Sequence, residues 1–254
     1  MHPEPGHETQ QPKPRRGIYL LPNLLTTASL FAGFYSIVNG MQGHFHRAAI
    51  AIFVAMILDG LDGRVARLTN TQTAFGVEFD SLADLVSFGL APALVSYSWC
   101  LHGLGNFGWL ASFWYVAATA LRLARFNTQV MYVDKRYFQG IPCPAAAAVV
   151  AGAIGLSSYY QPFPVMVLAI IMGILLMILG VLMVSNIRYY SFKESPFKDR
   201  VPFVTIIAAV LIFVGIAIAP MLLLFLAFLV YAISGPVLTL KSLREKRSQR
   251  QRVD

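Results

Sequence analysis

The chain has 254 residues, 57% of them hydrophobic and 13% charged, with a mean hydropathy of +0.62. That balance excludes an ordinary soluble domain and fits one polytopic membrane unit. The net charge of +8 does not mark a nucleic-acid partner, because the basic residues flank apolar runs, where anionic lipid headgroups attract them at about 1 kcal/mol each.

Residues 1–16, rich in Pro, His and Gln, have the composition of a disordered tail, and no cleavable secretory signal is expected before the first apolar run. Arg15 to Leu21 are expected along the interface, with the chain turning inward at Pro22. Crossing about 30 Å of hydrocarbon takes roughly 20 helical residues. Eight apolar runs answer to that requirement, at about 20–40, 47–62, 82–101, 107–124, 143–160, 163–185, 201–219 and 221–240. The sequence thus predicts an all-α polytopic protein. All of the 20 Lys and Arg residues except Arg47 fall on one side of these spans, which is the cytoplasmic side by the positive-inside rule. Both termini are expected there, around a membrane domain at 17–240 and a basic tail at 241–254. Loops on the opposite face are short, so function is sought on the cytoplasmic face. Cys100 and Cys143 fall near opposite faces, which argues against a disulfide, and neither has metal-ligand spacing.

The stretch ILDGLDGRVARLTNTQTAFGVEFDSLAD, from Ile57 to Asp84, gathers five acidic residues in an otherwise apolar chain. The second helix is expected to continue through Asp59 and Asp62, which share a face with Gly63 and Arg67 stacked behind them. Turn-formers at 68–75 then give way to a helical stripe of Gly76, Asp80 and Asp84. Two helices would thus present two carboxylate pairs to each other, with Gly63 and Gly76 leaving room for a ligand or a neighbouring helix. A charged carboxylate near the bilayer core costs about 2.5–3.5 kcal/mol, and Arg64 and Arg67 cannot neutralise four. Divalent cations can, and all-oxygen ligation favours Mg²⁺, Mn²⁺ or Ca²⁺ over zinc. Paired hard cations held by aspartates are suited to substitution at phosphorus.

These residues resemble a known family. The pattern D-x-x-D-G-x-x-A-R, eight residues, then G-x-x-x-D-x-x-x-D is the signature of the CDP-alcohol phosphotransferases, and Asp59, Asp62, Gly63, Ala66, Arg67, Gly76, Asp80 and Asp84 fill every fixed position. PNLLTTASLFAG near the start, RLARFN at 122–127, FQGIPCPAAA at 138–147 and SNIRYYSFK at 185–193 look like the membrane-embedded phosphatidylserine synthases of bacteria and archaea, with Ile141 where Leu is typical.

The resemblance implies a six-helix catalytic core, a homodimer, and residence in a bacterial cytoplasmic membrane with the site facing the cytoplasm. It implies two divalent cations, Mg²⁺ or Mn²⁺, on Asp59, Asp62 and Asp80, with Asp84 a metal-adjacent general base. CDP-diacylglycerol would lie along Asn23, Thr26, Gly63, Ala66, Arg67 and Gly76, with Arg67 and the cations stabilising charge on the pyrophosphate. L-serine would be the acceptor and CMP the leaving group.

Several of these residues have plainer readings. Asn23 and Thr26 either orient the cytidine-bearing ligand or satisfy a backbone broken at Pro22. Arg122 and Arg125 either meet an acceptor carboxylate or phosphate or anchor the topology, and Asn127 either joins them or caps a helix. Within the family the rival acceptors are glycerol 3-phosphate, inositol and choline. Outside it the rival is a cation transporter, since carboxylates inside a membrane also mark ion paths.

Overall fold

In the computed structural model, residues 20–129, 137–160, 163–190, 215 and 218–250 are described. Helix α1 (Leu20–Met41) turns at Gly43, whose φ of +79° suits glycine, into α2 (Phe45–Leu68). The face that α1 buries carries Pro22, Thr26, Ser29, Gly33, Ser36 and Gly40. Small residues on one stripe let two backbones approach closely in a membrane, where contact rather than water exclusion holds helices together. Ser29 and Ser36 use that closeness, donating to the carbonyls of Ala55 at 3.0 Å and Ala48 at 2.8 Å on α2. The expected inward turn at Pro22 is absent. The helix already starts at Leu20, and proline is tolerated in a first turn because its missing N–H would have had no partner there.

Helix α2 runs unbroken from its apolar run through Asp59, Asp62 and Arg67, as expected, and ends at Leu68. After a short turn the chain re-enters as one rod made of α3 (Ala74–Asp84), a π-helical turn (Leu85–Leu90) and α4 (Ala91–Trp99). The third span therefore begins at 74 rather than 82. A 3-10 turn (Leu101–Leu104) and Gly105 lead into α5 (Asn106–Gln129). Among the described residues α6 (Cys143–Tyr160), α7 (Val165–Val184) and α8 (Pro220–Arg250) follow, the last passing through Pro236 and residue 240 without a break.

Helix α6 forms the middle of the bundle. Its Ala145 to Ala151 run is wholly buried, and it packs against α2, α7 and α8 while α5 packs against α7. Among the described residues four helices, Leu20–Met41, Ala74–Trp99, Val165–Val184 and Pro220–Thr239, are long and apolar enough to cross a membrane, and Cys143–Ser158 is a shorter apolar helix. The protein is thus an all-α membrane protein, as its composition predicts. The expected span at 201–219 falls almost wholly outside the described residues, as do the N-terminal tail and residues 251–254.

One element is not anticipated. Strand β1 (Tyr137–Gln139) pairs antiparallel with β2 (Arg188–Tyr190), Phe138 opposite Tyr189, joining the segment before α6 to the segment after α7 in a ribbon. Gly140 follows at φ +75°, and a Cβ there would stand 2.3 Å from the carbonyl oxygen of Met183. Its own N–H donates to Ile187 at 2.9 Å and that of Ile141 to Leu182 at 3.2 Å. Tyr189 is buried beneath α8, its hydroxyl donating to Ala232 at 3.0 Å and its ring lying against Gly235.

Candidate metal centre and catalytic site

The turn between α2 and α3 closes through short polar side chains. Asn70 takes a φ of +51°, which Asn accepts more readily than most residues, and the Thr69 and Thr71 hydroxyls share a hydrogen bond of 2.7 Å. Thr73 then caps α3, accepting from the N–H of Gly76 at 3.0 Å. The chain reverses over these few residues, so α3 brings its aspartates back beside those of α2.

There the two carboxylate pairs meet. One oxygen from each of Asp59, Asp62 and Asp80 lies within 4.8 Å of the others. Asp84 approaches Asp59 closely enough to share a hydrogen bond. Asp62 is buried and accepts from the Thr26 hydroxyl at 2.6 Å. Asp80 Oδ1 is buried with no hydrogen-bond partner. Four carboxyls so placed repel one another, and a buried acceptor left unmade costs about 1–3 kcal/mol. A hard divalent cation relieves both, and three convergent carboxylates are the oxygen donors it takes. The residues present therefore fit a divalent metal. Glu78, the fifth acid of the window, is exposed and lies instead beside Asn127.

The flanks are built differently from each other. On α2, Arg67 is exposed and turns its Nε to the Gly63 carbonyl at 2.8 Å. A Cβ at Gly63 would meet only Arg67 Nη2, at 4.0 Å, so this side of the helix is open, beside the half-buried Ala66. Gly76 is tight instead, because a Cβ there would lie 3.4 Å from Asn23 Oδ1 and 3.1 Å from the Thr73 hydroxyl. Asn23 and Gly76 thus face each other between α1 and α3, whereas Thr26 is turned onto Asp62 itself.

On the α5 side the three polar residues separate. Arg122 donates through Nη1 to the Cys143 sulfur at 3.1 Å, lies near enough to Asp84 for their charges to interact, and keeps Nε buried with no hydrogen-bond partner. Arg125 is tied to the ribbon, donating to the Val184 carbonyl at 3.3 Å and to the side-chain oxygens of Gln139 and Asn186. Asn127 bridges to α3, donating to Ser81 at 3.0 Å and Glu78 at 3.4 Å. Sequence reasoning did not anticipate Cys143, Gln139 or Asn186 as partners of the arginines. Their only trace was their place in the quoted stretches FQGIPCPAAA and SNIRYYSFK.

Comparison with known proteins gives the same reading of most of the chain. The family model for CDP-alcohol phosphatidyltransferase matches residues 19–233. A protein of Helicobacter pylori (strain J99) named CDP-diacylglycerol–serine O-phosphatidyltransferase is 43% identical over 201 residues, 79% of this chain and 84% of the relative. Proteins of the same name are 44% identical over 157 residues in Mycobacterium leprae, 58% of this chain and 51% of that one, and 32% identical over 173 residues in Methanocaldococcus jannaschii, 68% and 78%. With a family model spanning most of its length and the acidic signature folded into one cluster, the chain belongs to the CDP-alcohol phosphatidyltransferase family.

Proposed function

We propose that the chain transfers the phosphatidyl group of CDP-diacylglycerol to the hydroxyl of L-serine, giving phosphatidylserine and CMP. The observation that carries the reading is the convergence of Asp59, Asp62 and Asp80 beside Asp84, with one oxygen of Asp80 unpartnered. The serine acceptor is supported by the name its relatives share.

In this reading Asp59, Asp62 and Asp80 hold two Mg²⁺ or Mn²⁺ ions, with Asp84 beside them. When bound, such ions stabilise charge on the attacking and leaving oxygens of an in-line displacement at phosphorus. The open flank at Gly63 and Ala66 receives the CDP group, and Arg67, released from its own helix carbonyl, meets the pyrophosphate. Asn23 and Gly76 close the neighbouring edge. Asp84 takes the proton from the serine hydroxyl as that oxygen bonds to the phosphorus carrying diacylglycerol. The bond from that phosphorus to the bridging oxygen breaks, and CMP leaves with its electrons. Arg122 is the cation best placed for the serine carboxylate, because it lies beside Asp84 with an unused N–H. The lipid tails enter sideways from the bilayer, the site and both termini face the cytoplasm of a bacterial inner membrane, and the protein works as a homodimer.

The test is an acceptor panel. Purified protein is given CDP-diacylglycerol with Mg²⁺ or Mn²⁺ and, separately, serine, glycerol 3-phosphate, inositol or choline, with CMP and lipid product both measured. Serine should be preferred. Preference for another acceptor would overturn the substrate while leaving the family.

A further inference from the structure

The stripe that α1 buries has an unusual last rung. Ser36 and Ser29 donate to backbone carbonyls of α2, at 2.8 and 3.0 Å, as hydroxyls commonly do between membrane helices. Thr26, next along the same face, reaches α2 where the carboxylates begin and donates to Asp62 Oδ2 at 2.6 Å. A second acceptor, the Pro22 carbonyl, is 3.1 Å away, but a hydroxyl has one proton and the shorter contact is to the charged group. Both residues are closed off, Thr26 at 4% exposure and Asp62 at 5%. That leaves the threonine hydroxyl little room to touch a nucleotide, and it pins one oxygen of a carboxylate that stands in the cluster with Asp59 and Asp80.

We propose that Thr26 is a positioning residue of the metal centre: its hydroxyl holds one oxygen of Asp62 so that the other is presented to the cation, and it does not contact the CDP-lipid. The inference rests on the reading of Asp62 as a cation ligand. Hydrogen bonds to a ligating carboxylate fix its orientation, and losing such a partner commonly weakens metal binding by about 10–100-fold. α1 therefore contributes to the chemistry through the aim of a carboxylate on another helix.

The experiment measures Mn²⁺ alone binding to the purified full-length protein in detergent, by the electron paramagnetic resonance signal of the free ion, with no lipid present. Thr26→Val keeps the shape and removes the hydroxyl, and should weaken Mn²⁺ binding by about 10–100-fold, whereas Thr26→Ser should stay within about threefold of wild type. Ser29→Ala removes the neighbouring rung without touching a carboxylate and should bind Mn²⁺ as wild type does. Where Thr26→Val does not fold, Thr26→Ala serves in its place. The KM for CDP-diacylglycerol, taken at saturating Mn²⁺, should be unchanged in the Thr26 variants. Wild-type Mn²⁺ affinity in the folded Thr26→Val protein, with a raised KM for the CDP-lipid, would overturn the proposal and return Thr26 to the nucleotide. Loss of Mn²⁺ affinity in Ser29→Ala as great as in Thr26→Val would also overturn it, by making the effect one of helix packing. A wild-type protein that binds Mn²⁺ but releases no CMP with serine would instead sink the proposed reaction and leave Thr26 in its role.

Discussion

Arg122 donates to the Cys143 sulfur at 3.1 Å at the point where α5 passes the start of α6, while Arg125, one turn on, donates to Asn186 and Gln139 at the ribbon. Two arginines of one short stretch are thereby given different work. Arg122→Ala should raise the KM for serine or lower kcat at least tenfold, in line with about 1.5–3 kcal/mol for a charged hydrogen bond, while CDP-lipid binding changes little. Serine titrations at saturating CDP-diacylglycerol check this, and an unchanged serine dependence would reduce Arg122 to a topological anchor.

Arg125→Ala should act on stability first. Removing it leaves the Val184 carbonyl and the Gln139 and Asn186 side chains without a shared donor, and the loss should be about 1–3 kcal/mol. A lower melting temperature in detergent, with serine KM near wild type, is the expected pattern.

Asp59→Asn, Asp62→Asn and Asp80→Asn should each abolish phosphatidyl transfer while the protein still inserts into the membrane, and chelation of divalent ions should do the same to wild type reversibly. Each substitution takes a charged ligand from a cluster whose oxygens lie within 4.8 Å. A folded variant that turns over at the wild-type rate would remove that residue from the ligand set.

Asp84→Asn separates binding from chemistry. Loss of a general base commonly costs about 10²–10⁴ in rate, so turnover should fall by at least the lower figure while Mn²⁺ and CDP-lipid binding persist. Parallel loss of Mn²⁺ binding would make Asp84 chiefly a ligand.

Gly140→Ala tests the ribbon's hinge. The position combines φ +75° with a Cβ site 2.3 Å from the Met183 carbonyl oxygen, which is backbone and cannot swing away. Left-handed strain alone costs about 1–2 kcal/mol, so a destabilisation of at least that size should appear in thermal melts.

The acidic cluster was legible because its spacing is local. Asp59 with Asp62, and Asp80 with Asp84, share helix faces by arithmetic on 3.6 residues per turn, and the turn-formers between them announce the reversal. What the sequence did not disclose depends on distant partners. Nothing near Thr26 says that Asp62 will stand 2.6 Å away, and nothing near Arg125 says that Asn186 will meet it. The pairing of Phe138 with Tyr189 is equally non-local, and three-residue strands are too short to show alternation. Pro22 misled for a different reason: proline signals a break within a helix but is welcome in its first turn, so its meaning depends on where the helix begins.

The π-helical turn at Leu85–Leu90 begins on the residue after Asp84. Such a turn accommodates roughly one residue more than an α-helical turn, which offsets everything beyond it by about 100° of helical phase. Before the offset, α3 aims Asp80 and Asp84 at the carboxylates of α2; within the turn Ser87 reaches the Ser29 carbonyl at 3.1 Å, and after it α4 settles against α1 and α5. A single regular helix has one phase and could serve only one of these alignments. The turn works as a coupling between two misaligned shafts, so deleting one residue from it would leave the rod's composition almost untouched and set its reactive end against its packing end.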